Sequence, residues 1–142
     1  MKNLHFLLLI IFVFIISCNN ENEESSVSDD TPEMIDYKDS IMTIHDRVMP
    51  KMSQLENLRK KLTAERKKQI SAKNNEQLQK INHLLGELNK SENAMWDWMH
   101  NYQPDSLAGN TKMIYLKREL HSVKQMEEIV LSGMAKAQSY FN

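Results

Sequence analysis

NNEQLQKINHLLGELNKSENAMWDWMHNY, residues 74–102, decides the fold. Leu78, Ile81, Leu85, Leu88, Met95, Met99 and Tyr102 follow one another with heptad spacing, broken only where Glu92 takes an apolar position. That spacing gathers them on one face of a helix. Asn74 with Gln77 three residues on is a capping-box start, and the helix must stop before Pro104.

Working outward, Thr31-Pro32-Glu33 supplies a hydroxyl for a helix N-cap, a proline at the first helical position and an acid in the first turn. Ile41, His45, Val48, Met52, Leu55 and Leu62 then form one stripe of a long helix that Pro50 bends and that ends near Lys68. A third helix, from Asn110-Thr111, carries Met113, Leu116, Leu120, Val123, Val130, Met134 and Ala137. No stretch alternates as a strand would. Three amphipathic helices with short connections must bury their stripes against one another, so the chain reads as all-α, an antiparallel three-helix up-down-up bundle over residues 32–142. An oligomeric coiled coil would bury the same stripes.

Ahead of the bundle stands KNLHFLLLIIFVFIISC, residues 2–18. Lys2, the apolar run Phe6–Ile16 and the small Ser17 have the order of a secretory signal over residues 1–17, and the run is too short to span a bilayer. Ile15-Ile16-Ser17-Cys18 resembles the lipobox of bacterial lipoproteins. The resemblance implies a diacylglycerol and a further fatty acyl group such as palmitate on Cys18, and hence membrane attachment in the cell envelope, on an outer membrane facing periplasm or surface. Residues 19–31, NNENEESSVSDDT, hold five acids and one apolar residue, too little to fold, so residues 18–31 read as a lipidated flexible tether. Acids so soon after the cysteine look like the export signals of surface lipoproteins in Bacteroidetes-type bacteria.

Cys18 is the only cysteine, so no internal disulfide forms and packing must supply the stability. Without residues 1–17 the chain keeps seventeen bases against nineteen acids, a net charge of −2, which argues against a nucleic-acid partner.

Ten methionines are present, and their placement is uneven. Met42, His45, Met49 and Met52 share one face of the first helix, and the antiparallel topology brings Met95 and Met99 to the same end, with Trp96, Trp98 and His100. Thioether and imidazole donors suit Cu(I), so these six Met/His residues are a candidate soft-metal site. The same residues fill irregular core gaps or line an adaptable groove for a partner helix. Glu92 at a seam position needs a partner, and His121 is level with it in this topology. No nucleophile, phosphate loop or paired carboxylate accompanies them, so neither catalytic residues nor a required cofactor is expected. Arg59, Lys60, Lys61, Arg66, Lys67 and Lys68 crowd the end of the first helix, where they complement its dipole or meet an anionic partner.

HDRVMPKM, His45–Met52, and MWDWMHNY, Met95–Tyr102, resemble segments of small helical lipoproteins of Bacteroidetes-type bacteria, some labelled viral A-type inclusion protein. The resemblance implies a lipid-anchored envelope protein and carries no activity with it. The expectation is therefore a binding or structural module with an envelope protein or helix as partner. The alternative is a Cu(I)-binding protein of the periplasm or surface.

Overall fold

Thr31 Oγ1 accepts a hydrogen bond from the Met34 amide, and Pro32 occupies the first helical turn, so the first helix starts where its sequence places it. The computed structural model describes residues 30–142. The expected signal over residues 1–17, Cys18 and residues 19–29 lie outside them. The elements are α1 (Pro32–Val48), α2 (Lys51–Ser71), α3 (Asn75–Asn101), a 3₁₀ turn (Pro104–Ser106) and α4 (Gly109–Ser139), with no strand among the described residues. Pro50 has no amide to give the Asp46 carbonyl, and the helix breaks there into α1 and α2. The break is shallow: the Met49 amide still reaches the His45 carbonyl at 2.8 Å, and Pro50 stays in the right-handed helical region. α1 and α2 together make one bent helix of a three-helix bundle.

Cross-helix pairs give the directions. Glu33 pairs with Lys117 and Arg47 with Glu127, so α1 and α4 run the same way. Gln77 meets Tyr140 and Glu87 meets Lys136, so α3 runs against α4. α2 turns into α3 at Ala72–Asn74, and the Asn74 side chain accepts from the Gln77 amide as the capping signal requires.

Along the bent helix Met34, Ile41, Val48, Leu55 and Leu62 are buried at intervals of seven, straight through Pro50. In α3 the buried row is Ile81, Leu84, Leu88, Ser91, Met95 and Trp98; in α4 it runs from Lys112 through Leu116, Glu119, Val123, Met126, Val130 and Gly133 to Ala137. Spacings alternate between three and four in both rows, the pattern of knobs-into-holes packing. The α3 row differs from the sequence expectation. Leu85 and Met99 lie at its edge, and Ser91, not Glu92, takes the seam.

The reason is a close approach of α3 to α4. Ser91 Oγ sits 3.0 Å from both the Glu87 and the Ile129 carbonyls, so a buried hydroxyl has acceptors within its own helix and across the interface. Gly133 faces it. A Cβ there would collide with Ser91 Oγ and press to 3.1 Å from the Glu87 carbonyl. Gly133→Ala forces the hydroxyl out of its hydrogen bonds and should lower stability by about 1–3 kcal/mol. Urea unfolding will show most of that loss; in the Ser91→Ala background the same glycine substitution should cost distinctly less.

Candidate functional site

The bend at Pro50 divides the bundle into two halves with different neighbours. α1 lies on α4 and keeps clear of α3, with no Cα of one within 8 Å of a Cα of the other, whereas α2 lies chiefly on α3. The helices of ordinary bundles pack about 8–10 Å apart. In the half that holds α1, the space beside α3 is therefore filled by long side chains.

A ladder of rings crosses it. His45 of α1 lies 5.7 Å from Trp98 of α3, Trp98 stacks on Tyr102 at 5.0 Å, and Tyr102 stacks on Tyr115 of α4 at 6.3 Å. The Arg118 guanidinium closes the series 5.1 Å from the Tyr115 ring, a cation on a π face. Tyr115 also orders the connection after α3, accepting from the Gln103 amide at 2.7 Å and donating to the Asn101 carbonyl at 3.1 Å. Trp98 Nε1 and the Tyr102 hydroxyl are buried without a hydrogen-bond partner among the described residues. Each such group costs about 1–3 kcal/mol.

Five of the six expected Met/His residues lie in this half and Met52 stands just past the bend in α2, all at very different depths. Met95 is fully buried in the core, Met49, Met52 and Met99 are half-buried against it, and Met42 is 38% exposed. His45 is half-buried, and its Nδ1 lies 2.9 Å from Asp46 Oδ1. His100 turns away, its Nδ1 against the Trp96 carbonyl.

The Glu92–His121 pair does not form. Glu92 lies off the seam and takes Arg59 of α2 as its partner, and His121 is exposed. The cause is the seam position held by Ser91, which turns Glu92 toward α2.

Sequence reading missed the charges gathered where the chain enters the bundle. Asp30, read as tether, is 4% exposed and bonded to the nearly buried Lys112 of α4 and to Lys38 of α1 at 3.2 Å. Lys38 also reaches Asp105 of the 3₁₀ turn at 3.1 Å. Burial opposes the charge on Lys38, but its bonds to Asp105 and Asp30 outweigh that and raise its pKa, while Lys38 holds the Asp105 carboxyl below its usual range. A lysine at a heptad seam position, Lys112, was the available signal. Removing one partner of a buried pair costs about 3–5 kcal/mol, so these charges pin the chain's entry.

A shallow groove of about 300 Å³ opens between α3 and α4, lined by Asp97, Trp98, Asn101, Glu119, Ser122 and Gln125 among others. Glu119 is nearly buried in it, with Arg118 at 3.2 Å. No group of three or more His, Cys, Asp or Glu side chains suited to a metal ion occurs among the described residues, and none of their helices is long and apolar enough to cross a membrane.

No protein-family model, curated protein or solved structure matches the chain.

Burial pushes the Tyr102 phenol up to about 12. The unfolded phenol ionises near about 10, so the folded state holds the proton longer and its stability falls as pH rises above that value. Ultraviolet titration should show the Tyr102 phenol ionising late, near pH 12, with Tyr115 also delayed by burial. Tyr102→Phe should abolish that late step and, by removing an unpaired hydroxyl, leave stability unchanged or raise it by about 1 kcal/mol.

Proposed function

We propose that this chain is a lipid-anchored protein of the cell envelope, on an outer membrane facing periplasm or surface, that works as a binding or structural module and performs no catalysis. The observation that carries the reading is the order of parts along the chain. Lys2, an apolar run, Ser17-Cys18 and an acidic polar stretch lead directly to Asp30, where paired lysines fix the chain to a helical bundle. A single acyl chain holds a protein only marginally, so attachment through Cys18 uses several. The likeness to small helical lipoproteins of Bacteroidetes-type bacteria points the same way.

Detergent phase partitioning tests it. The native product should enter the detergent phase with an intact mass increased by glyceryl and acyl groups, and Cys18→Ser should move it to the aqueous phase. An unmodified thiol on residue 18 contradicts the proposal.

One observation favours a second reading, a Cu(I) or soft-metal protein using Met42, His45, Met49, Met52, Met95 and Met99. The Asp46 carboxylate on His45 Nδ1 is the brace that commonly orients a ligating imidazole. Titration of Cu(I) against a colorimetric chelator should then show competition that His45→Ala weakens by about tenfold or more. Absence of competition at micromolar protein ends this reading.

A further inference from the structure

We propose that the outward surface of α2, with the bundle end formed by Ile70, Lys73 and Phe141, docks onto an anionic lipid bilayer. α2 is the least buried of the long helices: of its 21 residues only Leu55 and Leu62 are buried. Its solvent side is basic, with seven Lys or Arg against Glu56 and Glu65. Arg59, Lys60 and Lys68 are spoken for by Glu92, Glu56 and Glu65. Lys61, Arg66 and Lys67 are exposed and make no ion pair among the described residues. Lys60 with Lys67 and Lys61 with Lys68 are each seven apart and form two rows on the side of the helix opposite the buried Leu55 and Leu62, while Arg59 and Arg66 flank the side toward α3.

The turn after α2 carries a second, independent sign. The Asn74 amide bonds the Gln69 carbonyl and the Lys73 amide bonds the Ile70 carbonyl, a Schellman closure that places Lys73 at the left-handed position, φ 54°. Glycine sits there without strain and lysine does not. A cation is thus held at the bundle end at a cost to the fold, which is where strain points to use.

The third sign selects a bilayer over a soluble polyanion. Ile70 is 53% exposed and Phe141 is 42% exposed, at the ends of two helices that run the same way. Phe141 is braced edge-on by Tyr140 at 5.2 Å, and Lys80 lies 5.5 Å from the Tyr140 ring. Apolar side chains among cations match a headgroup layer over an acyl interior; an anionic polysaccharide would use only the charges. This surface does not depend on an anchor at Cys18. The chain enters beside Lys38 and Lys112, and by helix rise the far end of the bundle lies about 45–50 Å further along.

The test uses the full-length chain carrying Cys18→Ser, so that no acyl group contributes, floated with vesicles of phosphatidylcholine alone or containing phosphatidylglycerol. Binding should be confined to, or at least about tenfold stronger on, the anionic vesicles, and should be lost near 1 M salt, where screening acts over about 3 Å. Lys61→Glu/Arg66→Glu/Lys67→Glu should cut it by about tenfold or more, with helicity by circular dichroism checked first. Should that variant fail to fold, the Lys61→Gln/Arg66→Gln/Lys67→Gln form should show the same direction of loss. Ile70→Ser/Phe141→Ser should weaken binding to the anionic vesicles at low salt while leaving its salt dependence unchanged. Lys73→Gly should bind less well yet unfold at higher urea. Equal binding to both vesicle types, undiminished binding by the charge variants, or capture of a soluble anionic polysaccharide with no vesicle binding would each overturn the proposal.

Discussion

An unbroken heptad carried through a proline is the constraint on which the rest of this bundle depends. Met34, Ile41, Val48, Leu55 and Leu62 keep one phase across Pro50, so the first helix presents a single seam to its neighbours on both sides of the bend. The bend changes which neighbour it meets. Before Pro50 the helix lies on α4, and after it chiefly on α3. A straight helix with the same seam would sit in one groove throughout, as in a regular three-helix coiled coil.

The chain's unusual composition follows from this. Where α1 stands off from α3, the space takes the stacked rings of His45, Trp98 and Tyr102, with Met49 and Met99 half-buried against the core of the same half. Where α2 crosses over, it buries only Leu55 and Leu62 and leaves the remainder of its circumference to solvent and to cations. The bend thus produces one half rich in methionine and aromatics and another half that is basic. The soft-metal reading draws on the first half, and the bilayer surface draws on the second. The charges around Asp30 fix the point at which the chain leaves the bundle, so the two ends have a defined relation to whatever lies before residue 30.

Helix existence, the caps at Thr31 and Asn74, and the interruption at Pro50 were all legible, because local chemistry alone decides them. The α3 seam was not. Leu85 looks like a seam position by hydrophobicity and Glu92 by spacing, but Ser91 occupies the seam since Gly133 brings α4 too close for a larger side chain. Small residues carry no hydropathy signal, and their meaning appears only when two helices are placed together. Lys112 and Glu119 were hidden for the related reason that a charged residue at a heptad position reads as a break until its partner is seen. Asp30 and Asp105 come from segments whose composition reads as tether and loop, and only tertiary structure joins them to Lys38 and Lys112. The Met/His end was legible as a location, while the depth of each side chain there was not.

Through-space proton contacts in solution test the partner exchange at Pro50 most directly. Intramolecular contacts should link the His45 ring to the Trp98 indole, and backbone contacts should join α1 to α4 and α2 to α3, with none between the backbones of α1 and α3. Continuous backbone contacts between α3 and the whole of residues 32–71, or contacts that appear only between different copies of the chain, would contradict it.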